Sequence, residues 1–194
     1  MDEYIIVDDA IPKKFQNEIE DILLGNNGFP WYYVNDITLT KDKIKKTGAF
    51  DLTPAFNHVF YDEFNTTNNL IYFVKPIIYM AADKINLDFK RIIQARAFLQ
   101  IPTTKKIKAN HPHIDLEIEH IACIYYVSDN TAPTILYNET IFNTSMSEIT
   151  EKKFTPLVEI LPKKGRCLFF KGKYFHSSTT PKDSTRTVIN FDIC

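Results

Sequence analysis

Apolar residues recur along this chain with two different periods, and the change comes near residue 88. Before it, Phe15, Ile19, Ile22 and Leu23 lie three or four positions apart, behind Pro12 and ahead of Gly25. That spacing predicts an amphipathic helix, opened by a proline whose fixed φ suits a first turn and closed by a glycine. A second helix is predicted over residues 70–85, entered from an asparagine-rich turn at 65–69, with Pro76 kinking or splitting it. Residues 4–7, 31–34 and 55–61 are short apolar runs that read as strands. After residue 88 the runs are all short and β-like: 91–101, 118–127, 133–137, 157–161, 166–171 and 187–193. Turn signals such as Ser128-Asp129-Asn130 and Pro162-Lys163-Lys164-Gly165 part them. The pattern predicts an α+β, mainly β chain. Its core is a sandwich or jelly roll, with the helices packed on one sheet. No repeat or linker divides the sequence, so residues 1–194 read as a single domain. Residues 1–88 form a helical N-terminal support and residues 89–194 the core.

Composition narrows this picture. Hydrophobic residues at 44% and aromatics at 13% are those of a globular chain. A net charge of −1 gives no general field for nucleic acid or membrane. One stretch departs from this balance: residues 152–186 carry nine Lys/Arg against Glu159 and Asp183. It reads as a solvated face, or as a positive rim for an anionic substrate. Cys123, Cys167 and Cys194 are odd in number and have no metal-type spacing, so no disulfide framework is expected. Cys123 and Cys167 sit in apolar runs and read as small buried hydrophobes. The N-terminus has no signal-peptide pattern, and the longest apolar region, 70–82, is broken by Lys75 and Pro76. A cytoplasmic protein is the expectation.

The candidate chemistry concentrates in Asn110-His111-Pro112-His113-Ile114-Asp115-Leu116-Glu117, which holds two of the five histidines. If this stretch is extended, His111, His113, Asp115 and Glu117 point to one face. Imidazole and carboxylate together suit a metal. Two His and one carboxylate on one side leave the opposite positions open, as in non-haem Fe(II) oxygenases. His113 and Asp115 give two ligands from one element, and a third comes best from another strand. His176 is the candidate, behind the apolar run Cys167-Leu168-Phe169-Phe170 and the turn Lys171-Gly172-Lys173. Arg186, ten residues further on, presents a planar fork suited to a carboxylate. A 2-oxo dicarboxylate would chelate the metal at one end and meet Arg186 at the other. His58 and His120 are isolated and read as structural.

At these residues the chain resembles the Fe(II)- and 2-oxoglutarate-dependent dioxygenases, in their prolyl-4-hydroxylase-like branch. The matching pieces are His113-Ile114-Asp115, Ala122-Cys123-Ile124-Tyr125-Tyr126-Val127, the run from Pro162 to Phe170, and His176 with Arg186. The resemblance covers residues 91–193, and the N-terminal helices more loosely. It implies a double-stranded β-helix in which His113, Asp115 and His176 bind Fe(II), while Arg186 and Tyr126 bind 2-oxoglutarate. The implied reaction consumes O2, releases succinate and CO2, and hydroxylates a C–H bond, with ascorbate a candidate auxiliary reductant. A protein or peptide side chain such as proline is the implied substrate, and a small molecule stays open. No membrane or nucleic-acid partner is supported; a monomer or homodimer is expected. The chain departs from the branch at Ala132-Pro133-Thr134, where many members carry a Gly-Gly-x-Thr turn. Loops at 143–155 and 43–46 are candidate lids.

Two rivals remain open. His111-x-His113-x-x-x-Glu117 with His176 is similar to the cupin metal motif, although Lys105 and Ile124 stand where cupins carry glycines and Arg186 would have no role. A jelly-roll module that binds without catalysis is the other.

Overall fold

The computed structural model describes residues 2–26, 28–38, 53–64, 66–103, 109–144 and 153–194. Residues 43–46 and most of the 143–155 loop, the candidate lids, lie outside these.

Strict alternation on three strands explains how the layers stack. These are β6 (Ile121–Tyr126), β9 (Cys167–Lys171) and β11 (Arg186–Ile193). Successive side chains on a strand point to opposite faces. One face sends Cys123, Tyr125, Cys167, Phe169, Ile189 and Phe191 into a core with two helices, α1 (Lys13–Leu24) and α2 (Ile71–Asp83). The helices contribute Ile19, Leu23, Val74, Ile77, Ile78 and Ala81. The other face sends Ala122, Ile124, Tyr126, Leu168, Phe170 and Val188 toward a second sheet. That sheet supplies Leu136 from β7 (Thr134–Thr140), Ile160 from β8 (Pro156–Ile160) and Tyr174 from β10 (Tyr174–Ser178). Strands covered on both faces read as unbroken apolar runs, which is why 121–126 and 167–170 lack polar alternation.

The remaining strands are β1 (Tyr4–Val7), β2 (Tyr32–Val34), β3 (Ala55–Asp62), β4 (Thr66–Thr67) and β5 (Ile92–Gln100). The large sheet runs β1-β9-β6-β11-β5-β3-β2, with β4 on β3, and the small one β10-β7-β8. All pairings are antiparallel. This is the mainly β jelly roll with helices against one sheet. Residues 1–88 are more than a helical support, however: β1 extends the large sheet past β9, and β3 pairs with β5. The helix over 71–83 continues through Pro76. One lost hydrogen bond there is outweighed by four aliphatic side chains anchored in the core. No described helix is long and apolar enough to cross a membrane.

Within the basic stretch, Lys163, Lys164 and Arg166 do not line the candidate site, although Arg186 does. Lys163 Nζ and Arg166 Nε meet Asp8 at 3.0 and 2.6 Å, and Lys164 pairs with Glu20, so these charges tie the β8–β9 turn to the N-terminal segment. The Arg166 hydrogen bond, with Lys163, pulls the Asp8 carboxyl down to about 2 from an ordinary 3.8. A depressed carboxyl stabilises the fold above its unfolded pKa, and the effect is lost as pH falls toward the folded value. Asp8→Asn is therefore expected to lower thermal stability slightly at pH 7, by about 1 kcal/mol or less because Asp8 is well exposed. The gap from wild type should close between about pH 4 and pH 2 in melts followed by circular dichroism.

Candidate metal centre and anion pocket

His113 does not lie on a strand. It makes an isolated antiparallel bridge to His176, with His113 N–H donating to the His176 carbonyl at 3.0 Å and the reverse bond at 2.9 Å. Pro112 has no N–H to extend that ladder. The expected single face of four ligands is thus corrected. Ile114 turns inward at 6% exposure, while Glu117 is exposed. The bridge has a different use, because it sets residue 113 beside strand β10, which carries His176. That strand went unread in the sequence. Gly172 takes the chain from one sheet to the other at a point where any Cβ would run into the His120 ring.

The ligand atoms of His113, Asp115 and His176 lie within 4.8 Å of one another. His176 Nε2 is 3.4 Å from Asp115 Oδ2. His113 Nδ1 faces the His111 carbonyl at 3.2 Å. A carbonyl only accepts, so Nδ1 carries the proton and Nε2 is the coordinating nitrogen. Burial, reinforced by His113, pushes the His176 imidazole down to about 3. Burial also pushes the Asp115 carboxyl up, but His176 and Arg96 together outweigh it and hold it below the usual carboxylate range. A neutral His176 beside an ionised Asp115 matches the protonation states a divalent cation requires.

A second feature shares the cavity. The Arg186 side chain is buried, at 3% exposure, and makes only neutral hydrogen bonds. Nε donates to the Ala132 carbonyl at 3.2 Å, Nη1 to Gln100 Oε1 at 3.2 Å and Nη2 to Thr134 Oγ1 at 2.7 Å. Among the described residues no carboxylate pairs with it, and burial pulls its pKa down. A buried cation without a counter-charge costs several kcal/mol, and an anion in the cavity would offset that cost. Tyr126 donates its hydroxyl to Thr134 Oγ1 at 2.8 Å, and its ring stands 5.8 Å from the guanidinium carbon. A cavity of about 150 Å³ runs past His113, Asp115, His176, Thr134 and Arg186, walled by Phe98, Ile124 and Val188.

The structure therefore gathers His113, Asp115 and His176, and sets Arg186 on the same cavity. Tyr126 reaches that end through Thr134. His111 and Glu117 stay out of the cluster, and Glu117 lines a separate cleft with Lys171 and Lys173. The cupin set is therefore not assembled. His58 is satisfied, with Nδ1 on the Pro30 carbonyl and Nε2 on Asn68, both at 2.8 Å. Sequence reasoning missed Arg96, Gln100 and Thr134. Arg96 had a signal: it is a charge in the middle of the apolar run Ile92-Ile93-Gln94-Ala95-Arg96-Ala97-Phe98.

No protein-family model and no curated protein sequence matches the chain. Solved structures do match in shape. A prolyl hydroxylase from Trichoplax adhaerens, in complex with a peptide of the hypoxia inducible factor oxygen degradation domain, superposes with a TM-score of 0.63 at 12% identity. The match covers 100% of this chain and 84% of that one. An oxidoreductase of the 2OG-Fe(II) oxygenase family from Burkholderia pseudomallei gives 0.65 at 8% identity, over 98% and 84%. The chain has the 2-oxoglutarate/Fe(II) oxygenase fold. That fold serves more than one chemistry, since a non-haem α-ketoglutarate-dependent epimerase from nogalamycin biosynthesis also matches, with a TM-score of 0.62 at 10% identity, over 99% and 76%.

Proposed function

We propose that the protein is an Fe(II)- and 2-oxoglutarate-dependent oxygenase that hydroxylates a C–H bond, with a peptide side chain such as proline as substrate. One observation carries the reading: a two-histidine, one-carboxylate cluster and a buried arginine without an acidic partner line the same cavity. Together they match the two ends of a 2-oxo dicarboxylate.

In this reading His113, Asp115 and His176 hold Fe(II), which with 2-oxoglutarate and O2 supplies oxidative decarboxylation coupled to hydroxylation. Arg186 binds the far carboxylate through its fork. Thr134 holds the guanidinium in place, and Tyr126 fixes the Thr134 hydroxyl. Phe98, Ile124 and Val188 keep water from the reacting end. The His111 carbonyl keeps the proton on His113 Nδ1 and so aims Nε2 inward. The peptide reading is supported by edge strand β2, whose Tyr32 and Tyr33 are each 61% exposed and which leads directly to Ile37 and Thr38 at the cavity. Aromatics on a strand that is an edge among the described residues suit an extended peptide.

Anaerobic addition of Fe(II) and 2-oxoglutarate is expected to produce a visible charge-transfer absorption, and admitting O2 to yield succinate. Absence of both would leave a binding module in place of an enzyme. Succinate turnover against peptides, free amino acids and oligonucleotides then tests the substrate, and stimulation by a non-peptide alone would overturn that part.

A further inference from the structure

Behind Asp115 the barrel interior holds a row of charged groups where a mainly apolar core is expected. Arg96 comes from β5, and its Nη2 donates to Asp115 Oδ1 at 2.8 Å and to Asp192 Oδ2 at 3.4 Å. Asp192 comes from β11, is fully buried, and sets its Oδ1 3.5 Å from Nε2 of the buried His120. His120 Nδ1 faces the Ile118 carbonyl at 2.7 Å and must carry a proton there. Its Nε2 and the Asp192 oxygen then face each other as two acceptors unless a second proton lies between them. With that proton in place the His120–Asp192 pair carries no net charge, and Asp115 is the nearest ionised carboxylate to Arg96.

Such a row is costly, and apolar side chains of the same size would stabilise the core more. Its position suggests what it is for. Asp115 has two oxygens. Oδ2 points to His176 Nε2 at 3.4 Å, and Oδ1 is taken by Arg96. A carboxylate with both oxygens free can chelate a cation and close a position that a co-substrate needs.

Resting on the metal reading above, we infer that Arg96 is a positioning residue: it occupies Asp115 Oδ1 so that Asp115 meets the metal through Oδ2 alone, while Asp192 and His120 hold Arg96 from behind. Arg96 reaches two carboxylates from one nitrogen and spans β5, β11 and the 113–115 segment. An ammonium on a flexible stem does not fix two acceptors in one plane in that way.

The test uses the full chain and Co(II) alone as an anaerobic absorption probe. Arg96→Met, checked for folding by circular dichroism, is expected to bind Co(II) about 10- to 100-fold more weakly. Its d–d bands are expected to shift as Asp115 chelates through both oxygens. Arg96→Lys, which keeps the charge, is expected to recover affinity in part and leave the bands shifted. A folded Arg96→Met with wild-type affinity and bands would overturn the inference. If Arg96→Met does not fold, Arg96→Lys decides: wild-type bands there would reduce Arg96 to a bare charge and overturn its positioning role. A wild-type chain that binds no Co(II) would instead remove the metal reading itself.

Discussion

His176→Ala is expected to bring bound Fe(II) to background and to stop succinate formation, while leaving the fold intact. The two backbone bonds between residues 113 and 176 do not involve the imidazole, so the bridge survives the change. The loss falls on the donor set: with three protein ligands and no fourth in reach among the described residues, removing one leaves a pair too weak to retain the ion. His113→Ala should behave alike. Asp115→Ala should also lose iron but lower the melting temperature as well, because it leaves the Arg96 guanidinium without its nearest carboxylate. His111→Ala and Glu117→Ala should keep iron at wild-type stoichiometry, measured by metal analysis after desalting. The reverse pattern, iron lost with Glu117→Ala and retained with Asp115→Ala, would reinstate the cupin arrangement.

Arg186→Met should weaken 2-oxoglutarate about 100-fold or more, read as the concentration that half-saturates the visible absorption. Truncating one partner of a buried charge pair costs about 2–5 kcal/mol, and each 1.4 kcal/mol is about tenfold. Arg186→Lys should recover part of this, because one ammonium replaces one arm of the fork. Thermal stability separates the binding role from a structural one. Without its anion the Arg186 charge is a burden on the fold, so Arg186→Met should leave the melting temperature of the ligand-free protein nearly unchanged. A large drop in melting temperature with unaltered 2-oxoglutarate affinity would make Arg186 a core residue.

The parts of the fold visible in the sequence were those set by local pattern. The 3.6-residue spacing before Gly25 marks α1, and the apolar runs of β6, β9 and β11 mark the middle of the large sheet. Three of the residues that define the cavity, His113, Asp115 and His176, stood out because histidines are sparse, five in all, and Asp115 stands two residues from one of them. What escaped was set by contacts far apart in sequence. β10 has four buried residues out of five, so no polar alternation announced it, and only the turn at Gly172 separates it from β9. The 110–117 stretch looked like a strand because alternation of His and acid imitates one. Its backbone bonds to β10 at residues 110 and 113, too sparsely to form a strand, and Asp115 is drawn inward by Arg96. Thr134 and Gln100 had no signal of their own, since a threonine or glutamine at a strand end is ordinary until a buried guanidinium is placed beside it.

The position of β11 bears on when the protein becomes active during synthesis. Of the described strands it comes last in sequence, yet it takes the middle of the large sheet, between β6 and β5. Until it arrives, β6 and β5 have open edges facing each other across a gap and their apolar faces are uncovered. Such a sheet closes late, by long-range pairing. Arg186, the first residue of that strand, arrives with it. On the proposed assignment, a chain that already displays His113, Asp115 and His176 would have no fork for the dicarboxylate until β11 inserts and completes the sheet.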